Sequence, residues 1–486
     1  AMADVRYVVL SDLHFGATNS LLTTLVADPG EPGGCRADPA TPAPLLEALL
    51  GGLAVLVEGQ ETPPTLILAG DVLDLALSPE EVAATCFGTF VDLAFGSTRQ
   101  LFAPVVYYLP GNHDHHVWEG TRETVYAHHI RGLPLAEPIP SPSHTTDLRP
   151  GHLVRSESNL VSTLIRRRPE CSGIEVGVGY PNLALVSASG HRAQVVSHGH
   201  YTEPIYTLMS RLRAILFPAQ ADAGEMTSVE TLERENFAWI DFLWSTLGRS
   251  GDVGIDVAQV YADLQSASNL DVLADRMTTV LASRPHNAPW VRGVERVVFG
   301  AALRREVRHV ARAERATPGV VLTDKGRAGV RSYLQGAVRQ QVAEQLGTVP
   351  AEVGFVFGHT HKPFLEAWDL DGYTGSVQIA NSGGWVVDTS AAAVCQGGAA
   401  VLIDDDFDAA VVQFYRQAPG GVLPVQVLAP PSGDAGRLAA TLTVKIDAQE
   451  KPWSEVSAAA ERGVAERWQL QANLTESTAA AVRRGK

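Results

Sequence analysis

The 486-residue sequence predicts a mixed α/β fold built from layers of strands and helices. Short apolar runs recur along the sequence, as expected for strands that are buried on both faces. Helical stretches such as 44–58 and 78–95 lie between several of these runs. The chain is longer than one typical core requires, so we expect either a large domain with insertions or two to three units.

The composition argues against several classes of protein. The net charge is −16, from 38 basic and 54 acidic residues, which disfavours a protein that tracks nucleic acid by charge. The basic run 166–168 is interpreted as a solvated surface. No apolar run reaches the roughly 18 residues of a membrane span, and no signal-peptide pattern precedes the first strand, so we expect a cytoplasmic protein. The four cysteines form no C-x-x-C pair, which argues against a disulfide framework and a structural zinc site.

Five of the apolar runs end in a cluster of polar residues. The runs are 7–10, 65–68, 105–109, 193–196 and 353–357. The clusters that follow them are Asp12-Leu13-His14, Gly70-Asp71-Val72-Leu73-Asp74, Gly111-Asn112-His113-Asp114, His198-Gly199-His200 and Gly358-His359-Thr360-His361. Loops at the carboxyl ends of strands meet in one crevice, so strands that run the same way would bring all five clusters together. Three clusters also place two groups at i and i+2, and such side chains leave an extended backbone on the same side.

The residue types in these clusters indicate a metal site. They are carboxylates, imidazoles and one carboxamide, a mixture that suits Mn, Fe or Zn better than Ca. There are too many such groups for one ion and about the right number for two. Two neighbouring ions usually share a carboxylate, and Asp71, which is central and followed by a turn, is the natural bridge.

The segments between the clusters divide the chain. Residues 16–44 and 136–153 are rich in turn formers, and each predicts a long loop. Residues 203–350 predict a mostly helical insertion, because apolar residues recur there at helical spacing. Residues 1–202 and 351–430 would then form the two parts of one core, with 431–486 as a C-terminal extension that ends in a helix.

The ordered set D-x-H, G-D-x-x-D, G-N-H-D, H and G-H-x-H resembles the calcineurin-like metallophosphoesterase superfamily, over residues 1–202 and 351–415. The resemblance implies a two-sheet β-sandwich flanked by helices, with two metal ions at one edge. It implies a first ion held by Asp12, His14, Asp71 and His361, and a second held by Asp71, Asn112, His198 and His359. It also implies that His113 gives a proton or hydrogen bond to the phosphate or leaving group, and that Asp114 orients His113.

Several positions leave alternatives open. His200 is the fallback for His198 as the ligand from the fourth cluster. Asp74 stands where purple acid phosphatases carry a tyrosine ligand, so it is expected to be an outer hydrogen-bond acceptor. His115 and His116 have no role in the family and are expected to lie behind the ligands or at the surface. The stretch 381–385 is either the glycine-rich turn of many relatives or a plain hairpin turn.

The predicted reaction is in-line hydrolysis of a phosphomonoester or phosphodiester by a hydroxide held between two metal ions, without a covalent intermediate on the enzyme. One alternative is an inactive metal-binding scaffold. Others within the superfamily are a nuclease, which the net charge disfavours, and a nucleotide-lipid pyrophosphate hydrolase. The insertion is tied at both ends to predicted ligand loops and is therefore expected beside the site, as a lid or as part of the substrate pocket. The alternative is that its apolar face over 205–216 simply packs on the core. Peripheral membrane contact by the insertion, the native metals, the substrate and the oligomeric state stay open.

Overall fold

The computed structural model describes residues 3–30, 34–96, 100–155, 159–216, 228–245, 317, 319–389, 392–429 and 436–484. Two β-sheets form its centre, and helices pack on the outer face of each sheet. This arrangement confirms the mixed α/β class predicted from the sequence. Residues 246–316 of the predicted insertion lie outside the described residues.

The first sheet has seven strands. They are β1 (Val5–Leu10), β4 (Thr65–Leu68), β5 (Val105–Tyr108), β6 (Glu175–Val178), β12 (Ala399–Asp404), β13 (Ala409–Gln413) and β14 (Gln426–Leu428). Their spatial order is β14-β13-β12-β1-β4-β5-β6. Strands β1, β4, β5 and β6 run parallel, with Val9 opposite Ile67 and Ile67 opposite Tyr107. The loops that follow these strands therefore lie at one edge of the sheet.

The second sheet has five strands. They are β7 (Asn182–Val186), β8 (Arg192–Ser197), β9 (Glu352–Phe357), β10 (Phe364–Trp368) and β11 (Val377–Asn381), in the spatial order β10-β11-β9-β8-β7. Strands β8, β9 and β11 run parallel, with Val196 opposite Val356 and Val356 opposite Ala380. The insertion interrupts the chain between β8 and β9, yet these two strands pair directly.

The two sheets pack face to face because apolar residues alternate along their strands. Val9 and Ile67 of the first sheet share one buried cluster with Val196 and Val356 of the second. Val8, the neighbour of Val9, points to the opposite face of the first sheet, where helices cover it.

The described α-helices are α1 (Pro44–Leu56), α2 (Glu80–Phe95), α3 (His115–Gly132), α4 (Leu160–Ile165), α5 (Leu208–Leu216), α6 (Val229–Ile240), α7 (Asp324–Tyr333), α8 (Arg339–Leu346), α9 (Gly436–Asp447) and α10 (Glu450–Arg484). Helices α1, α2, α4, α9 and α10 contribute apolar residues to the cluster on the first sheet, so the C-terminal extension is part of this layer. Helices α6, α7 and α8 contribute to the cluster on the second sheet. No helix among the described residues is long and apolar enough to cross a membrane.

The predicted loop over 16–44 is wrong in part, because it contains an antiparallel hairpin of β2 (Thr23–Ala27) and β3 (Cys35–Pro42). Its strands pair only with each other in a separate two-stranded sheet. Prolines are tolerated in such edge strands, where a backbone N–H can be spared. The predicted loop over 136–153 has no regular structure apart from one helical turn, Pro150–His152.

Candidate metal centre

The predicted site residues come together at the carboxyl edge of the parallel strands. Their loops follow β1, β4 and β5 in the first sheet and β8 and β9 in the second. All nine are buried, with no residue more than 3% exposed: Asp12, His14, Asp71, Asn112, His113, Asp114, His198, His359 and His361. A crowded, buried set of ionisable groups needs compensating partners, and a bound cation is one such partner.

Six of these residues form two triads whose ligand atoms converge. The first triad is Asp12, His14 and His361, and the second triad is Asp71, His198 and His359; in each, one ligand atom per residue lies within 4.8 Å of the other two.

Asp71 belongs to the second triad and also lies close to the first. Its Oδ2 atom is 3.3 Å from Nε2 of His198 in the second triad and 3.8 Å from Nε2 of His14 in the first. Asn112 joins the second triad through its Oδ1 atom, which is 3.1 Å from Nε2 of His198. The structure thus brings together all seven residues that were predicted to hold metal ions.

The backbone reaches this arrangement through left-handed conformations. Asp12, His14, Asp71, His359 and His361 have φ values of 52°, 47°, 50°, 67° and 59°. Side chains other than glycine rarely adopt this region, and such strain concentrates at functional sites. The expectation that the i and i+2 pairs leave an extended backbone on one side is therefore wrong: tight left-handed turns direct these side chains.

The outer nitrogen of each triad histidine lies beside an oxygen atom, and the other nitrogen faces the site. The pairs are His14 Nδ1 with Asp74 Oδ2 at 2.8 Å, His361 Nδ1 with Asp388 Oδ2 at 2.6 Å, His198 Nδ1 with the Ala69 carbonyl at 3.2 Å, and His359 Nε2 with Glu203 Oε1 at 3.4 Å. Histidines that ligate metals are typically oriented in this way by an outer acceptor.

The inward-facing atoms fit a bound cation. Within the described residues, the Nε2 atoms of His14 and His361 are buried without a hydrogen-bond partner. In the second triad, His198 Nε2 and His359 Nδ1 lie only 3.2 Å apart. Unpaired buried polar atoms are costly, and ligation of an ion would satisfy the imidazole nitrogens. These buried histidine and aspartate groups could therefore hold metal ions.

The electrostatics keep the two central carboxylates ionised. Burial alone would raise the pKa of Asp71, but His198 and His113 outweigh this effect and hold the pKa well below its usual range. Burial would likewise raise the pKa of Asp12, and His361 and His198 lower it. Both side chains therefore remain negative and available to a cation.

Asp74, and not Asp114, contacts the ring of His113. Nδ1 of His113 lies 3.1 Å from Asp74 Oδ1. Asp114 instead accepts hydrogen bonds from Tyr108 and from the backbone N–H groups of Gly111 and Val72, at 2.6 and 2.9 Å for the two backbone bonds. The expectation that Asp114 orients His113 is thus corrected. Asp114 fixes the backbone that joins the second and third clusters, and Asp74 is the outer acceptor that was expected.

The fourth cluster places His198, not His200, in the triad. The Nε2 atom of His200 lies 3.2 Å from the Tyr180 hydroxyl, and its ring packs 4.3 Å from the ring of Tyr201. Burial and the nearby His198 hold the pKa of His200 well below its usual value, so this ring is neutral. It packs behind the second triad.

The two histidines that directly follow the third cluster, His115 and His116, face the insertion. His115 is fully buried, and its Nε2 atom lies 2.8 Å from Glu233 in α6. The Nδ1 atom of His116, which is partly exposed, lies 2.9 Å from Glu119 and 3.8 Å from Asp241. His115 therefore lies behind the ligands, as one of the two expectations for it stated.

The stretch 381–385 is a turn beside the site and does not join neighbouring strands. It connects β11 of the second sheet to the segment before β12 of the first. A Cβ atom at Gly384 would lie 2.6 Å from the ring of His361, so only glycine lets this backbone approach the ring. Similarly, a Cβ atom at Gly358 would lie 2.0 Å from Oδ2 of Asp12.

Sequence reasoning missed Glu203 and Asp388 as partners of the triad histidines. Glu203 was placed at the start of the insertion, and Asp388 lies outside every motif. The one signal that could have found them is local. Glu203 follows His200 by three residues, and Asp388 follows the glycine-rich turn by three.

Comparison with known proteins does not extend these findings. No protein-family model matches the chain, and no curated protein matches it. The resemblance to metallophosphoesterases therefore depends on the five sequence motifs.

Proposed function

We propose that this protein is a metal-dependent phosphoesterase with a metallophosphoesterase-like fold, which hydrolyses a phosphomonoester or a phosphodiester. The observation that carries the proposal is the pair of buried triads with Asp71 between them. The face-to-face sheets, with helices on both outer faces, support the proposal, because the resemblance implies a two-sheet sandwich flanked by helices.

Two metal ions, drawn from Mn, Fe or Zn, fit the donor set. Asp12, His14, Asp71 and His361 would hold one ion, and Asp71, Asn112, His198 and His359 the other. When bound, such ions neutralise phosphate charge and lower the pKa of a coordinated water. The role of the chain is to fix the donors: Asp74, Asp388, Glu203 and the Ala69 carbonyl orient the imidazoles from outside.

His113 is the proposed proton donor. Asp74 holds its Nδ1 atom, so Nε2 is the nitrogen that would face the phosphate or the leaving group. A positioned imidazole that protonates the leaving oxygen typically contributes about 10²–10⁴-fold to the rate. Because His113 is buried, little water would compete for the contact between its imidazole and the leaving oxygen.

The geometry favours an enzyme over an inactive metal-binding scaffold. A scaffold needs the ligands but has no use for a further buried imidazole, His113, which Asp74 orients together with the predicted ligand His14. Among hydrolases, the net charge of −16 disfavours a nuclease, because such enzymes bind a polyanion.

The test is turnover of nitrophenyl phosphate and bis-nitrophenyl phosphate by the purified protein, before and after dialysis against EDTA and after addition of MnCl₂. We expect hydrolysis that is lost on chelation and restored by Mn²⁺, with two ions per chain by elemental analysis. Two bound ions without turnover of either ester, or of any compound in a panel of biological phosphates, would support the scaffold instead. Failure to bind ions would reject both readings.

A further inference from the structure

His115 directly follows the third cluster, which ends at Asp114, and is enclosed by helix α6 of the insertion. Its Nε2 atom lies 2.8 Å from Glu233, its Nδ1 atom lies 3.4 Å from Asp241, and its ring centroid is 5.1 Å from that of Phe237. Glu233 and Phe237 are four residues apart in α6 and therefore lie on one face of the helix, and Asp241 directly follows its last residue. This face and the residue that follows the helix surround the imidazole.

Glu233 connects this face to two further loops of the core. It is fully buried and accepts hydrogen bonds from the hydroxyls of Tyr180, at 3.0 Å, and Tyr201. Tyr201 lies three residues after His198, and His115 lies three residues after Asn112. One carboxylate from the insertion therefore joins the two loops that carry these two predicted ligands of the second ion.

The charge state of the network is fixed. Burial lowers the pKa of His115, but Glu233 and Asp241 outweigh burial and raise it to about 9. Burial and the Glu233 charge raise the pKa values of Tyr180 and Tyr201 well above the usual value. All three groups thus keep their protons at neutral pH and stay donors to Glu233.

A network of this kind contributes more to geometry than to stability. A buried ion pair gives little net stability compared with apolar packing, since both charges lose their hydration. It does impose fixed distances and directions on the groups that it joins. Here two of the joined groups, His115 and Tyr201, lie three residues after Asn112 and His198, respectively.

We propose that Glu233 is a positioning residue of the active site: by holding His115 and Tyr201 it fixes the loops of Asn112 and His198, so that the insertion completes the site and does more than cover it. This inference rests on the proposed function.

Glu233→Gln is the direct test, because it keeps the size of the side chain and removes its charge. Glu230→Gln is the matched control. Glu230 also joins α6 to the core, through the backbone N–H of His144 at 2.9 Å and the hydroxyl of Thr145 at 2.8 Å, but it does not contact His115. Both variants are assayed below their unfolding temperatures for kcat and KM on nitrophenyl phosphate, and for Mn²⁺ affinity by titration calorimetry.

For Glu233→Gln we expect kcat to fall by about 10- to 100-fold, since small misplacement of reacting groups has effects of this size. KM should change little, and the Mn²⁺ binding step to which Asn112 and His198 would contribute should weaken. Glu230→Gln should retain the parent kcat. A purely structural role would lower the unfolding temperature of Glu233→Gln without changing kcat or Mn²⁺ affinity.

An unchanged kcat and Mn²⁺ affinity in Glu233→Gln would overturn the inference while leaving the proposed function intact. An equal fall in Glu230→Gln would also overturn it, because the effect would then be general loosening of the insertion. If Glu233→Gln does not fold, Glu233→Asp, which keeps the charge but shortens the side chain, is assayed in the same way. Its kcat should fall below that of the parent, but by less than the roughly 10- to 100-fold expected for loss of the charge. A parent protein that neither binds Mn²⁺ nor hydrolyses the ester would reject the function and the inference together.

Discussion

Asp74 holds the ring of His113 through a 3.1 Å contact between its Oδ1 atom and Nδ1 of the imidazole. Its second oxygen, Oδ2, lies 2.8 Å from Nδ1 of His14. Burial alone would raise the pKa of Asp74, but the two imidazoles outweigh burial and hold the pKa far below its usual range. One buried anion therefore orients both a predicted metal ligand and the proposed proton donor.

This double role predicts different effects for Asp74→Asn and His113→Ala. His113→Ala should keep both ions and lose about 10²–10⁴-fold in turnover of an alkyl phosphate, with a smaller loss for nitrophenyl phosphate, whose leaving group needs no proton. Asp74→Asn should reduce turnover and also weaken the first ion, because His14 loses its outer acceptor. The measurements are kcat on the two esters and metal content per chain. Equal losses of His113→Ala on both esters would count against proton donation.

Asp71 is expected to govern both ions, because it lies within 4 Å of a histidine from each triad. Asp71→Asn keeps the shape of the side chain and removes the charge, so metal content should fall below two ions per chain. His14→Ala is the comparison, since it removes a ligand from the first triad alone and should leave one ion in place. Elemental analysis after gel filtration measures both. Retention of two ions in Asp71→Asn would reject its bridging role.

The sequence predicted which residues meet at the site because these residues follow strands. Asp12, Asp71, Asn112, His198 and His359 each come directly after a buried apolar run, and parallel pairing of such strands brings their ends to one edge. Both features are local, since they need only the pattern along the chain and the direction of the strands.

The outer partners could not be predicted in this way. Glu203, Glu233 and Asp388 are single acidic residues outside the five motifs, and tertiary packing decides which histidine each of them meets. The role of Asp114 was wrong for a related reason. Proximity in sequence suggested His113 as its partner, whereas the fold turns its carboxylate toward the backbone of residues 71–73.

Asp404 predicts a pH dependence of stability at the edge of the first sheet remote from the site. It ends β12, which runs antiparallel to β1, and is 1% exposed. Burial, together with the charges of Asp408 and Asp406, raises its pKa to about 6. Between about pH 4 and 6, Asp404 therefore holds a proton in the folded protein. In the unfolded chain its pKa is near the ordinary value, so the same group has already released its proton in this window. Its contribution to the free energy of unfolding is present below that window and is lost as the pH rises through about 6.

Asp404→Asn should remove this loss. Asn keeps the oxygen that accepts the backbone N–H groups of Asp406 and Asp408, at 3.0 and 2.9 Å. The free energy of unfolding of the variant minus that of the parent should therefore be larger at pH 8 than at pH 4, by roughly 1–3 kcal/mol. Thermal unfolding of both proteins at the two pH values measures the difference, and turnover at pH 8 should be unchanged. A difference in stability that does not vary with pH would contradict the assigned pKa.

Two of the three outer carboxylates, Asp388 and Glu203, offer a test that separates the ions. Asp388 lies 2.6 Å from Nδ1 of His361 in the first triad, and Glu203 lies 3.4 Å from Nε2 of His359 in the second. Burial lowers the pKa of His361, but Asp388 and Asp12 outweigh it and raise the pKa to about 10, whereas the pKa of His359 is lowered by burial in spite of Glu203. The first of these outer carboxylates is thus the stronger partner.

Asp388→Asn should therefore weaken one Mn²⁺ binding step by about 10- to 100-fold, the usual effect of losing an outer carboxylate. Glu203→Gln should weaken the other step by a smaller factor. Combined with His14→Ala, which already removes the first ion, Asp388→Asn should add nothing to the loss, while Glu203→Gln should still weaken the remaining ion. Calorimetric titration with MnCl₂ resolves the two steps. If either carboxylate variant weakened both steps equally, the division of the ligands between two ions would be wrong.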